Sequence, residues 1–409
     1  MQRKNLLVLG AGFGGLRVAM LTARELKRLD LLDKYQVTLV DRNNCHLYTP
    51  LLYKLAASPE NHTTCTYETT ELVTGMPVNF VQDEIVALDL PNGTVHLKNG
   101  GDMRGEFIVV AVGSETNYFG IPGLRENALQ LKTEESAAHI RVALSNAFKK
   151  GGTVNIIAGG AGANGIELAA EMKLWADMAH KKDPNLHATV SIVEAMPGIL
   201  TGLDGRVIAR AGARLRKLGI AVKTGAKITS VAPGEIAIDG GEKIPFDAFV
   251  WTGGTKAHDM LTTLPLGKDS HGKPLAQNDM ECVPATSHLK PYPMVYVLGD
   301  SVCFVNPKTK RPVPAVARAA ILQADVVTHN IIEEIQKMEW PMQRPKLREF
   351  VPSEYPYVIP IGERWAVAKF GPFVFSGWLG WVFDKLIEIN YLISIMQLRK
   401  AFKAWRNMR

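Results

Sequence analysis

Cysteine is scarce in this 409-residue chain, and the four present, Cys45, Cys65, Cys282 and Cys303, form no CxxC pair. That spacing excludes a disulfide scaffold and a structural zinc centre, and it fits a reducing compartment. Cys45 has no second cysteine a few residues away, so no dithiol redox centre is expected. His46, His62 and His258 also lack partners at ligand spacing, and no metal site is expected. Long apolar runs are missing as well. The longest uncharged hydrophobic stretch outside the glycine-rich loops, residues 370–383, is shorter than the roughly 18 residues a spanning helix needs. The opening residues pass from Met1-Gln-Arg-Lys-Asn straight into Leu6-Leu-Val-Leu-Gly10, too short and glycine-rich for a secretory leader, and none is expected. Acidic residues are absent from 391–409, where five side chains are basic, and this stretch carries much of the net charge of +7. With 46% hydrophobic and 21% charged residues, a disordered chain and a polytopic membrane protein are both excluded. The length suits two or three domains.

Glycine is well placed. The apolar run Leu6-Leu-Val-Leu leads into Gly10-Ala-Gly12-Phe13-Gly14-Gly15, and a helical pattern follows over 16–29. This is the strand–loop–helix context of a dinucleotide fingerprint. Gly10 permits the tight turn, Gly12 lets a pyrophosphate approach the backbone, and Gly15 allows the helix to pack on the strand. The helix start offers free N–H groups and a positive dipole end to phosphates. A second strand, Gln36-Val-Thr-Leu-Val, ends in Asp41, whose carboxylate can accept from ribose hydroxyls. The unit recurs once. Thr153-Val-Asn-Ile-Ile-Ala leads to Gly160-Ala-Gly162-Ala163-Asn164-Gly165, a helix is expected over 166–179, and a later strand ends in Glu194. A carboxylate there repels the 2′-phosphate of NADP and accepts from the free 2′-hydroxyl of NAD. The first loop is expected to hold FAD and the second a nicotinamide dinucleotide.

Other segments agree. Phe107-Ile-Val-Val-Ala-Val-Gly113 and Phe246-Asp-Ala-Phe-Val-Trp-Thr-Gly253-Gly254 are apolar strands ending in small residues, as where a backbone passes close to a cofactor. Met294-Val-Tyr-Val-Leu-Gly299-Asp300 delivers an acid that either takes a ribityl hydroxyl or caps the next element. After Pro314, residues 315–332 form an alanine-rich helix whose start can face a flavin pyrimidine.

These residues carry a family resemblance. Asp41-Arg42-Asn-Asn-Cys-His46, Tyr48-Thr-Pro-Leu-Leu-Tyr53, the interdomain stretch from Gly113 to Gly123, Leu131-Lys-Thr-Glu-Glu, and Gly165-Ile-Glu167-Leu-Ala-Ala-Glu171 are similar to those of a type II NADH dehydrogenase. That family is the single-subunit NADH:quinone oxidoreductase among flavoproteins with two dinucleotide-binding domains. The resemblance implies non-covalent FAD, NADH as donor and a membrane quinone as acceptor. The implied chemistry is two half-reactions, hydride transfer to the flavin and then reduction of the acceptor, without proton pumping. The implied flavin contacts are Gly12, Phe13, Asp41, Arg42, Val86, Gly113, Gly299, Asp300 and Ala317. The implied NADH contacts are Gly162, Glu167, Glu194 and Gly253, with Glu171 at the edge of the nicotinamide and quinone sites. The family's quinone motif, Ala-Gln-x-Ala-x-Gln, falls on Ala317-Arg318-Ala-Ala-Ile-Leu322, so both glutamines are replaced. Arg318 either bonds a quinone oxygen or favours an anionic acceptor.

In the tail, Ile387, Tyr391, Ile395, Leu398, Phe402 and Trp405 recur at three- and four-residue steps beside Lys385, Arg399, Lys400, Lys403 and Arg406. One apolar stripe flanked by cations suits an interfacial helix; a helix packed on the core or on a dimer partner is the alternative. The stripe is too apolar for nucleic acid. The chain is therefore expected to be α/β: two Rossmann-like dinucleotide-binding domains, the second inserted in the first, plus a C-terminal helical membrane-anchoring region. The expected boundaries are 1–115 and 256–340 for the FAD domain, 116–255 for the NADH domain and 341–409 for the anchor. The expected location is the cytoplasmic face of the cell membrane, peripherally attached, and a homodimer is among the partners considered. Two rival readings are a soluble NADH-dependent reductase feeding another acceptor such as a ferredoxin, and a flavoprotein whose redox state regulates a partner with little turnover.

Overall fold

A computed structural model describes residues 3–59, 64–285 and 294–407; His62 and Arg409 lie outside the described residues. The chain divides into two compact units. One comprises Met1–His46, Tyr67–Glu115 and Thr255–Ser353, the other Leu47–Thr66, Thr116–Gly254 and Glu354–Arg409.

The first unit is built on a five-stranded parallel sheet ordered Val295–Val297, Phe107–Val110, Lys4–Leu9, Tyr35–Asp41, Val78–Gln82. Its central strand is apolar without alternation, and Leu6, Leu7, Val8 and Leu9 are all fully buried, as a parallel strand covered on both faces requires. The first loop helix, Phe13–Arg28, buries Leu16, Val18, Ala19, Ala23 and Leu26 and packs against the long helix Ala317–Glu339. A small antiparallel sheet of Ile85–Asp89, Thr94–Leu97 and Gly101–Arg104 belongs to the same unit.

The second unit repeats the plan with the order Leu129–Gln130, Ala248–Trp251, Thr153–Gly159, His187–Val193, Ala221–Lys223, all parallel. The second loop helix, Ala163–Lys182, starts three residues earlier than the periodicity suggests and follows the glycines directly. A core of Leu124, Ile157, Ile236, Phe249 and Trp251 joins this sheet to a three-stranded antiparallel one. Both sheets are the expected Rossmann-like kind.

The tail departs from expectation. It opens as an antiparallel sheet of Tyr357–Pro360, Ala366–Phe370 and Phe373–Gly377, held to the helix Gly205–Lys217 by the buried Arg214. The Arg214 guanidinium donates to the carbonyls of Ile361 (3.0 Å) and Gly362 (3.2 Å). Two helices follow instead of one, Trp378–Ile395 and Leu398–Asn407, and the break divides the apolar stripe. Tyr391 and Ile395 are buried, Tyr391 stacking on Tyr48 at 5.3 Å, whereas Leu398 and Phe402 are exposed. Helical spacing cannot distinguish a stripe that meets the core from one that meets solvent. Lys385, expected beside the stripe as a surface cation, is buried instead. Among the described residues no helix is long and apolar enough to cross a membrane.

Candidate active site

The two glycine loops are wired alike. In the first, Asp41 Oδ2 accepts from the Ala11 N–H at 2.7 Å and Oδ1 from the Asn43 N–H at 2.8 Å. In the second, Glu194 Oε2 accepts from the Ala161 N–H at 2.6 Å and Oε1 from the Met196 N–H at 2.7 Å. Each acid thus bonds the residue between the first two glycines and the residue two places beyond itself. Two acceptor positions remain on each carboxylate, enough for the two hydroxyls of a ribose.

The glycines divide by role. A Cβ on Gly15 would stand 1.9 Å from the Gly10 carbonyl oxygen, and one on Gly165 would stand 2.0 Å from that of Gly160. These close approaches pack helix on strand. A Cβ on Gly12 or Gly162 would meet nothing within 4 Å. Both residues are N-caps without a side-chain hydrogen bond, so no side chain at the cap takes up the first N–H groups of either helix. The bare glycine and the open space at its Cβ position accord with FAD at the first loop and a nicotinamide dinucleotide at the second.

His46, set aside for metal binding, has a place in the first unit. It is fully buried, edge-on to Phe13 at 5.3 Å, with Nδ1 2.9 Å from the Ala11 carbonyl oxygen. Burial holds its pKa down to about 4, against the weaker upward pull of that carbonyl. The neutral ring therefore carries its proton on Nδ1 and donates it to the loop. Gly113, at φ +78°, donates its N–H to Ser301 Oγ at 2.7 Å, and Ser114 Oγ donates to Asp300 Oδ2 at 3.2 Å. Gly113, Gly299 and Asp300 are thereby brought together. Asp300 lies within a short 3-10 turn, Gly299–Ser301, instead of capping the next helix. Gln323, which no sequence motif marks, accepts the Gly299 N–H at 2.7 Å from one residue beyond the expected motif position. Ala317 and the exposed Arg318 occupy the first turn of the long helix. Arg42 is exposed after its strand, and Val86 is 52% exposed on Ile85–Asp89.

In the second unit, Glu167 and Glu171 share one face of the loop helix, beyond Ala163 and Asn164 in its first turn. Gly253 lies beside Gly160, whose Cβ would fall 3.1 Å from its Cα. Burial, reinforced by Asp384 and Glu171, pushes Glu167 up to about 8, so its carboxyl is neutral at pH 7. Burial also raises Glu171, against the pull of Lys54 and Lys385. Lys54, from the short helix Leu52–Ala56, is depressed first by burial and then by Lys385. On the tail helix, the Lys385 ammonium lies 3.1 Å from Asp384 and bonds Glu388. Burial disfavours that charge, but the two carboxylates outweigh it and raise the pKa. Glu388 is 3% exposed and raised by burial; its Oε2 has no hydrogen-bond partner. The cluster gathers residues from three distant segments and can store and release protons. The one sequence signal for it is three charges, Asp384, Lys385 and Glu388, on a face of an otherwise apolar helix. Among the described residues no group of His, Cys, Asp and Glu could hold a metal ion.

The chain resembles known proteins along nearly its whole length. It is 26% identical to the type II NADH:quinone oxidoreductase Ndh of Mycobacterium tuberculosis, covering 99% of this chain and 88% of that one. It is 25% identical to the type II NADH:quinone oxidoreductase of Staphylococcus aureus, with 98% and 96% covered. The solved structure of NDH2 from Plasmodium falciparum in complex with NADH superposes with a TM-score of 0.83 at 15% identity, covering 100% of this chain and 98% of that one, a likeness of fold. The family model for pyridine nucleotide-disulphide oxidoreductases matches residues 4–324, and with both its dinucleotide loops intact the chain belongs to that family.

Proposed function

We propose that this protein oxidises NADH and passes the electrons to a membrane quinone, with FAD held non-covalently in the first unit. The observation that carries the reading is the duplicated wiring, in which each loop has an acid tied to its backbone and open space before its helix. The names of the relatives at 25–26% identity support the quinone as acceptor. Bound FAD supplies the hydride acceptor and holds two electrons until they pass on. The protein orients and excludes. Glu194 takes the adenosine ribose of NADH and repels a 2′-phosphate, while Glu167, protonated at neutral pH, can donate to the carboxamide end. Reducing a quinone to quinol adds two electrons and two protons; the hydride from NADH brings both electrons and one hydrogen, so one further proton is drawn per turnover. Glu171, with Lys54, Lys385 and Glu388 beside it, is suited to relay it. Arg318, exposed at a helix start, is assigned to the acceptor oxygen.

The terminal helix supports attachment to a membrane surface. Leu398 and Phe402 are exposed among Arg399, Lys400, Lys403 and Arg406, and Trp378 and Leu379 are about 60% exposed on the preceding helix. Such a surface buries apolar rings among headgroups and pairs its cations with anionic lipid. We take the 341–409 region as this attachment and the cytoplasmic face as its side. The decisive experiment mixes the yellow protein with NADH under argon and then adds a short-chain quinone. NADH should bleach the flavin absorbance and quinone restore it. Bleaching by NADPH at equal efficiency, or failure of any quinone to restore colour, refutes the assignment.

A further inference from the structure

Phe119 combines two unfavourable features. Its backbone is left-handed at φ +51°, a region a bulky side chain enters only under constraint, and its ring is 54% exposed. The constraint is visible in its surroundings, all within the second unit. The Phe119 N–H donates to Asn117 Oδ1 at 2.8 Å. The Asn117 N–H donates to the Gly254 carbonyl at 3.0 Å, and the Asn117 carbonyl accepts the Trp251 indole N–H at 2.8 Å. The ring stands edge-on to Trp251, centroids 6.4 Å apart. Gly254, at φ +137°, leaves it room; a Cβ there would lie 3.2 Å from Phe119 Cζ. Three hydrogen bonds and a glycine thus hold an aromatic ring out in solvent.

Its location gives the ring a use. Trp251, Thr252 and Gly253 end the strand beside the second loop, and Thr252 Oγ1 donates to the Gly159 carbonyl at 2.9 Å. In the sheet, Ala248–Trp251 pairs with Thr153–Gly159 on the side opposite His187–Val193, the strand that leads to Glu194. A dinucleotide with its adenosine ribose on Glu194 and its pyrophosphate over Gly162 runs its other half towards Trp251 and Gly254. We propose that Phe119 is a specificity-determining contact for NADH, its exposed ring packing on the nicotinamide–ribose half and holding it at the sheet end. The proposal rests on the second loop being the NADH site. It explains why an exposed phenylalanine is kept in a costly conformation: the part of the ring that Trp251 leaves uncovered gains a packing partner when the dinucleotide binds.

The test uses the full-length holoenzyme and two probes that do not react, NAD⁺ and ADP, titrated calorimetrically. Phe119→Ala should weaken NAD⁺ by about ten-fold, the scale of one aromatic contact, and leave ADP unchanged. Phe119→Tyr should restore wild-type affinity. Phe119→Gly relieves the backbone strain, so it should match or exceed wild-type thermal stability while weakening NAD⁺ as the alanine does. In stopped-flow bleaching, the NADH concentration for half-maximal rate should rise in the alanine variant with the limiting rate within two-fold. Unchanged NAD⁺ affinity in Phe119→Ala and Phe119→Gly overturns the proposal, as does equal loss of NAD⁺ and ADP, which marks a role in shaping the loop. Gly162→Val tests the underlying reading separately: it should abolish binding of both probes, and if it does not, the second loop is not the site.

Discussion

A carboxyl group that keeps its proton at neutral pH is a hydrogen-bond donor, and Glu167 is such a group. Its pKa is raised from the ordinary 4.5 to about 8 by burial first, then by Asp384 and Glu171. The folded state thus binds a proton that the unfolded chain releases, and this carboxyl's contribution to stability falls as pH rises from 4.5 towards 8. Binding should follow the same proton. The KM for NADH should climb as pH passes about 8 in the wild type, and Glu167→Gln, a permanent donor, should flatten that rise. A wild-type KM that is level across this range removes Glu167 from the site. His46 has the opposite sign. Its pKa is depressed from 6.5 to about 4, so the unfolded chain takes the proton first and stability is lost as pH falls through that window. The full loss is roughly 3 kcal/mol. In urea titrations, His46→Gln should start less stable at neutral pH, having lost its place under the Ala11 carbonyl, and should lose less on acidification.

At the scale of elements, the break between Ile395 and Leu398 separates two jobs that the apolar stripe had merged. Tyr391, Leu392 and Ile395 are at most 7% exposed and belong to the core of the second unit. Leu398 and Phe402 are over half exposed on the terminal helix. Truncation before Leu398 should therefore leave a folded, yellow enzyme that reduces water-soluble quinones and no longer sediments with anionic vesicles. Salt should release the intact protein only in part, since screening removes the charge attraction and leaves the apolar share. Truncation before Gly371 deletes the strand Phe373–Gly377 that pairs with Ala366–Phe370, along with the buried half of the stripe. It should aggregate, which a solubility assay will show. If the shorter truncation still binds vesicles as the wild type does, the terminal helix is not the attachment.

For the whole molecule, the two half-reactions should separate by mutation. Arg318→Ala should leave bleaching by NADH intact and slow reoxidation by quinone ten-fold or more, about what one charged hydrogen bond contributes. Equal slowing of both halves would place Arg318 elsewhere. Gly12→Val should yield folded but colourless protein, because a Cβ there meets nothing within 4 Å and the side chain would enter the space assigned to the phosphate. Gly15→Val, driven into the Gly10 carbonyl, should fail to fold. Circular dichroism beside flavin absorbance separates the two outcomes.

Both nucleotide loops were legible in the amino-acid order because their determinants are local. Lys4 to Asp41 and Thr153 to Glu194 each form a strand, a turn, a helix and a second strand within about 40 residues, and backbone sterics at the glycines leave few ways to fold that unit. Periodicity likewise marked Leu398, Phe402 and the basic residues around them as amphipathic. The proton-holding cluster was not legible. Lys54, Glu171, Lys385 and Glu388 are neighbours only through packing, and their protonation depends on burial that no local pattern encodes. The split of the tail stripe was hidden for the same reason, since a three- and four-residue repeat states that a face is apolar and does not state what covers it. The role of Phe119 exists only in the folded chain: it lies in a left-handed backbone and a largely uncovered ring, and both are set by Asn117, Trp251 and Gly254. Chemistry carried by consecutive residues is fixed by the chain's covalent order, whereas chemistry carried by residues far apart, and the desolvation that shifts their pKa values, exists only after the chain has folded.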